Sequence, residues 1–463
     1  GRDIPVYNDN RTADGLPFRK WDTQFWSLWI TDGGGGTFKD IWTPSPYAAA
    51  GMYISNTTTE GRIYYMSVEH HVRNEVILDG VENWRIYGLQ LELESGEGPH
   101  CLPLDIRNSR NLLFANAFIY RVSRVTTPVE HATRVENSGN IVFKGYHAWT
   151  WTKYGFGDAV FDATSGLKIK TPEFAFLELS GKNRMTWKPD VEELASGFNF
   201  IDGATVDSKG NVYFIDANRH RIYCWDVNDN RLKLISDFPF SPVALACDEK
   251  DNLIVVTRYI LQETVFSRGE IRVIRLDPQR PVESIELLSE KPFDSTSGFR
   301  QYIYQSSRYR FENKSVAILP ENTKTWFVTT DGKTTLPNTP DIGQTYSLKT
   351  AVPGKPFYVS NSAERRTYRC DVGPNGELQN PELFAEEGEY DVAVDGEGNV
   401  YIPSGNVLVY DRRGAFINEI VVPQRPMSVV FGGKDKKELY ICARTALYRV
   451  QYFRLLSKMC LFL

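Results

Sequence analysis

The chain of 463 residues reads as all-β: a right-handed parallel β-helix followed by a six-bladed β-propeller, an assignment carried by two repeats of different period. In the second half one phrase recurs six times, as GNVYFID (210–216), NLIVVT (252–257), KTWFVTT (324–330), KPFYVSN (355–361), GNVYIPS (398–404) and KELYICA (437–443). Its aligned positions Tyr213, Ile254, Trp326, Tyr358, Tyr401 and Tyr440 are 41, 72, 32, 43 and 39 residues apart. Each copy is a polar turn followed by an apolar strand, and a period near forty with several strands per unit is that of a propeller blade. In the first half Asn83, Asn111 and Asn140 recur at intervals of 28 and 29 residues, and Gly166 follows after 26. One turn of a parallel β-helix takes about this much chain.

Composition agrees with both repeats. Hydrophobic residues make up 41% and aromatics 13%, enough for a large core, and 35 Gly with 24 Pro suit a turn-rich β fold. A net charge of −5 argues against a nucleic-acid-binding surface. No apolar run approaches the length of a membrane span, so none is expected. The six cysteines are far apart and form no CxxC pair, which argues against zinc; they read as small apolar filler.

Residues 1–185 are assigned to the β-helix. Its first sixty are the least regular, and DGGGGTFKDIWTP (32–44) reads as a flexible turn because no GK[ST] follows the glycines. The chain opens at Gly1, inside the repeat, so a missing N-terminal cap is expected. Four coils align: VENWRIYGLQLELE (81–94), RNSRNLLFANAFIYRV (107–122), ENSGNIVFKGYHAWTW (136–151) and DATSGLKIKTPEFAFLEL (162–179). Asparagine at matched turns would stack as a hydrogen-bonded ladder in left-handed backbone. This alignment places Tyr65, Glu92, Tyr120 and Trp149 in one column, with Glu94 and Arg121 beside it. Glu92 and Glu94 would share a strand face, since a spacing of two preserves the face. Aromatic and acidic side chains in a column make a sugar groove with Glu92, Glu94 and His71 as its chemistry, or else a stacked surface ladder. His71 comes from EHHVRNE (69–75), which lacks the HExxH spacing of a zinc protease.

The propeller is assigned to 190–451, after a junction near 180–198. The long gap between its second and third repeats holds STSGFRQYIYQSSRYRF (295–311), read as a loop. Arg300 and Arg308 would fork onto an acidic saccharide while Tyr302, Tyr304 and Tyr309 pack on sugar faces.

The stretch YDVAVDGEGNVYIPSGNVLVYDRRGAFINEIVVPQRPMSVVFGGKDKKELYICARTALYRV (390–450) resembles the gluconolactonase, regucalcin and senescence-marker-protein family. The resemblance implies a six-bladed propeller with a divalent metal, calcium or magnesium, at its axis, opening lactones or related esters. By that resemblance Asp202, in FIDGATVD, stands where the family has a glutamate ligand, and Asp391 stands at the family's aspartate ligand. The family's asparagine ligands have no counterpart in SPVALACD (241–248) or PMSVVFGG (426–433), so the metal site is expected to be degenerate and lactone hydrolysis weak. The first half, through GRIYYMSVEHHVRNEVILDGVENWRIYGLQLELE (61–94), resembles pectate-lyase-like β-helix modules. Together these imply a carbohydrate-active hydrolase with an extracellular or periplasmic location. The alternatives are a β-helix glycosidase or lyase with a substrate-binding propeller, or a non-catalytic glycan-binding scaffold.

Overall fold

Asparagine turns set the pitch of the first half. Asn83, Asn111 and Asn140 adopt φ of 66°, 55° and 53°, a left-handed conformation that asparagine tolerates and branched residues do not. Asn111 Nδ2 donates to Asn83 Oδ1 at 2.5 Å and Asn140 Nδ2 donates to Asn111 Oδ1 at 3.3 Å. The computed structural model describes residues 26–44, 48–93, 101–121, 128–150, 154–181, 191–237, 241–248, 250–262, 268–294, 307–311, 314–319, 324–329, 334–335, 348–350, 354–373 and 378–450. Side chains are described outside 258–271 and 288–353. The chain divides into two units, Gly1–Lys188 and Pro189–Leu463.

In the first unit each coil gives one strand to each of two sheets. One sheet stacks Trp26–Ile30, Ala50–Thr57, Asn74–Val81, Leu102–Arg107, Val129–Glu136 and Phe156–Asp162 in parallel. The other stacks Gly36–Pro44, Gly61–Glu69, Trp84–Leu93, Arg110–Arg121 and Gly139–Thr150. This is a β-solenoid. The fourth coil read from sequence, 162–179, departs from it. Leu167–Ile169 and Glu173–Leu179 pair antiparallel with the preceding strands. Gly166, at φ 78°, turns the chain back, and its N–H bonds to the Asp162 carbonyl at 2.8 Å.

Inward side chains repeat from coil to coil and build the core. Phe38, Ile63, Ile86, Phe114, Phe143 and Leu177 occupy one register column, with Phe114 and Phe143 stacked at 5.1 Å. Ile63, Ile86, Phe114 and Phe143 are buried, and removing a ring such as that of Phe114 costs about 3–5 kcal/mol. Gly61 is fixed by packing: a Cβ there would lie 2.2 Å from the Trp84 ring.

In the second unit three copies of the recurring phrase begin at an aspartate-capped turn. Asp207 Oδ1 accepts the N–H groups of Lys209 and Asn211 at 2.9 and 2.8 Å, and Oδ2 accepts Asn211 Nδ2 at 2.8 Å. Asp248 repeats the pattern with Lys250 and Asn252, and Asp395 repeats it with Glu397 and Asn399. Each turn satisfies its own backbone and launches the next buried strand, such as Val212–Asp216 or Val400–Ser404.

The described strands of this unit form five antiparallel-rich sheets. Ser241–Cys247, Leu253–Gln262, Arg268–Leu276 and Glu286–Asp294 make a four-stranded meander, as do Ala393–Val394, Val400–Ser404, Asn406–Tyr410 and Phe416–Ile420. A six-stranded sheet joins the two ends of the unit, because the long strand Glu192–Val206 pairs with Val212–Asp216 and also with Glu438–Val450. The arrangement is propeller-like. Part of the expected loop 295–311 is strand: Ser307–Phe311 pairs with Lys314–Leu319 and Leu348–Thr350.

Candidate functional site

The outward face of the second solenoid sheet gathers the described acidic and aromatic groups most closely. Strand alternation sends Val68, Leu91, Ile119 and Ala148 inward, so the residues on either side face out. Glu69, Glu92, Tyr120 and Trp149 form one outward column; Ser67, Gln90, Phe118 and His147 form the next. Glu69 Oε1 accepts the Ser67 hydroxyl at 2.6 Å and Gln90 Nε2 at 3.1 Å. Gln90 Nε2 also reaches Tyr120 OH at 3.1 Å, and the Tyr120 hydroxyl donates to Glu92 Oε2. His70 Nε2 lies 3.6 Å from Glu92 Oε1, with side-chain exposures of 17% and 16%. One ligand atom from each of Glu69, His70 and Glu92 lies within 4.8 Å of the others.

Aromatic rings continue this face. Tyr120 stacks on Trp149 at 6.1 Å and 21°, and Phe118 stacks on His147 at 5.2 Å and 10°. Phe118 keeps 37% of its surface exposed. Rings presented flat beside polar groups offer the apolar faces and hydrogen-bonding edges that a pyranose ring matches.

Three residues expected on this face lie elsewhere. Tyr65 is not in the Glu92 column: it sits at the coil bend opposite Gly88, at φ 59°, in a left-handed series with Asp40, Asn116 and Gly145. The cause is arithmetic, since the coil carrying Glu69 is only 23 residues from that of Glu92, and Glu69 takes the place that a step of 27 residues gave to Tyr65. His71 is wholly buried, with Nδ1 2.6 Å from Glu75 Oε2 and Nε2 3.2 Å from Ser27 Oγ, so it organises the interior. Arg121 is 1% exposed and donates to the Tyr154 carbonyl at 2.5 Å. Glu94 lies outside the described residues. Glu92, Tyr120 and Trp149 do come together, as expected. Glu69, His70, Ser67 and Gln90 were missed as site residues. EHHVRNE was visible, but the short coil hid its register.

In the second unit Asp202 and Asp391 are 4% and 3% exposed. Asp202 lies at a bulge in its strand, ahead of Gly203 at φ 62°. Asp391 Oδ1 accepts the Val392 N–H at 2.7 Å, and Oδ2 accepts the Ser428 hydroxyl at 2.5 Å and the Val429 N–H at 3.2 Å. Ser428 Oγ accepts the Ala204 N–H at 2.9 Å. Close by in sequence, Arg425 Nη1 donates to both carboxylate oxygens of Glu389 at 2.6 and 2.5 Å, and both side chains are buried. Donors therefore crowd the oxygens that a cation would need, and Asp391 does not fit the metal-ligand role. Arg300, Tyr302 and Tyr304 lie outside the described residues. Arg308 and Tyr309 lie in the strand Ser307–Phe311, opposite Ala317 and Val316. The five described cysteines are buried.

Residues 323–445 match the family model of the SMP-30/gluconolactonase/LRE-like region. No curated protein matches the chain. Among solved structures the chain is similar to a structural-genomics target described as a putative gluconolactonase, at 18% identity and TM-score 0.44, covering 57% of this chain and 92% of that one. A gluconolactonase from Xanthomonas campestris is 15% identical with TM-score 0.42, covering 56% and 88%. Regucalcin from Agrobacterium tumefaciens, a calcium-binding protein, is 15% identical with TM-score 0.41, covering 56% and 92%. No helix among the described residues is long and apolar enough to cross a membrane.

Proposed function

We propose that this chain is a carbohydrate-active hydrolase whose reactive centre is the Glu69–Glu92 pair on the solenoid face. The observation that supports it is two carboxylates on adjacent coils, with ligand atoms within 4.8 Å of each other, beside the Tyr120–Trp149 platform. Carboxylates about 5–5.5 Å apart suit nucleophile and acid–base roles in retaining glycosidases, whereas inverting enzymes hold them about 6.5–9.5 Å apart. One carboxylate attacks the anomeric carbon while the other protonates the departing oxygen; Tyr120, Gln90 and Ser67 hold the two in place. A calcium ion on the Glu69, His70 and Glu92 set would make the carboxylates ligands and not acid and base, so this reading places none there.

A second reading places weak lactone opening in the propeller at Asp202 and Asp391, with acidic-saccharide contacts from Arg308 and Tyr309. The family match at 323–445 favours it. On either reading the solenoid is right-handed and of pectate-lyase-like kind. The second unit is a six-bladed propeller, its six-stranded sheet being two blades joined edge to edge. The protein acts outside the cell or in the periplasm.

The test is turnover of an oligosaccharide panel by the full chain. Glu92→Gln and Glu69→Gln should each reduce the rate by about 100-fold or more, and chelator should leave it unchanged. Loss of activity in Asp391→Asn with Glu92→Gln unaffected would refute the solenoid assignment in favour of the propeller.

A further inference from the structure

We infer that hydrogen bonds and a buried ion pair tie together the strand entries around Asp391, and that Asp391, where the gluconolactonase resemblance places a metal ligand, binds no divalent cation. This inference is independent of the solenoid site. It begins with what Asp391 already holds. Its two oxygens accept three donors, from Val392, Ser428 and Val429. A cation on Oδ2 would have to face the positive ends of an O–H and an N–H dipole directed at the same atom. Calcium instead binds carboxylates whose lone pairs are open and whose other ligands are oxygens presented without intervening hydrogens.

The Ser428 hydroxyl links three entries. It donates to Asp391, which precedes the strand Ala393–Val394; it opens the strand Ser428–Gly432; and it accepts from Ala204 in the strand Glu192–Val206. Ala204 and Ser428 are 224 residues apart, so the contact joins the beginning of the unit to its end. A single ion coordinated by residues from several entries would do the same job. Here a serine does it with one donor and one acceptor.

The ion pair fastens two of the same entries again. Glu389 lies two residues before Asp391, and Arg425 lies three before Ser428. Arg425 spans both Glu389 oxygens at 2.5–2.6 Å with exposures of 5% and 8%. The Gly405 N–H adds a weaker contact to Glu389 Oε2 at 3.4 Å. The guanidinium is a permanent positive charge in a buried place, and it neutralises a carboxylate otherwise open to a metal. With the Asp391 and Glu389 oxygens so engaged, a divalent ion binding them would have to break these bonds first.

Calorimetric titration of the full chain with calcium chloride, and thermal unfolding in chelator and in millimolar calcium, decide the matter. Wild type and Asp391→Asn should show the same calcium response, whatever the solenoid contributes. A tenfold or greater loss of calcium affinity in folded Asp391→Asn would overturn the inference. Ser428→Ala and Arg425→Gln each leave the Asp391 carboxylate in place, so they cover the case in which Asp391→Asn fails to fold. Both should lower the unfolding midpoint by roughly 2–4 °C or more, equally with and without calcium. If calcium restores either variant to the wild-type midpoint, the site is a cation site and the inference fails.

Discussion

Replacing Asn111 separates two contributions that the asparagine ladder combines. The side chain donates to Asn83 Oδ1 at 2.5 Å, and its Oδ1 accepts Asn140 Nδ2 at 3.3 Å and Arg85 Nη2 at 3.2 Å. The backbone sits at φ 55°. Asn111→Gly deletes the hydrogen bonds and keeps a residue at ease with that φ. Three contacts, two of them long and half-exposed, are together worth about 1–2 kcal/mol. Asn111→Ala deletes the same contacts and leaves in left-handed backbone a Cβ-bearing residue without the short polar side chain that eases asparagine there, adding roughly 1 kcal/mol. The expected losses are therefore about 1–2 kcal/mol for glycine and about 2–3 kcal/mol for alanine. Urea unfolding followed by tryptophan fluorescence measures both; with unchanged slopes the midpoints convert directly to free energy. Equal losses for the two variants would refute the backbone part of the argument. Losses below about 0.5 kcal/mol in both would refute the ladder as a source of stability.

Two further outcomes are expected. Burial raises the Asp105 carboxyl above its ordinary range, against the opposing pull of Arg107 and Arg134. The folded protein therefore holds this proton more tightly than the unfolded chain, and Asp105 lowers stability as pH rises from the ordinary aspartate value through the raised one. Asp105→Asn should remove that decline in a series of urea midpoints between pH 4 and 7, and a decline of unchanged slope would refute it. Burial also pushes the Cys224 and Cys370 thiols up to about 12. In native protein at pH 8 a chromogenic disulfide should leave all five described cysteines unmodified, and full titration should require denaturant; rapid native reaction of Cys224 or Cys370 would contradict their packing.

Repeats are what a linear sequence displays best, because stacked or meandering β units reuse one local solution many times. Asn83, Asn111 and Asn140 announced both their spacing and their left-handed turns. The Asp-x-x-Gly-Asn phrases at 207–211 and 395–399 announced turns that satisfy their own backbone. These interactions are local or lie one repeat away, so the residues suffice to read them. Register across unequal coils is a different matter. Whether Tyr65 or Glu69 stands beside Glu92 depends on one coil being five residues shorter than the next, and only strand pairing reveals that. The same holds for polar residues whose role is set by burial. His71 and Arg121 look like chemistry in one dimension, yet the fold turns both inward and spends their hydrogen bonds on Glu75 and the Tyr154 carbonyl. Asp391 and Ser428 are 37 residues apart in sequence. Their pairing was decided by long-range packing, because a carboxylate's role depends on which donors the folded chain brings to it.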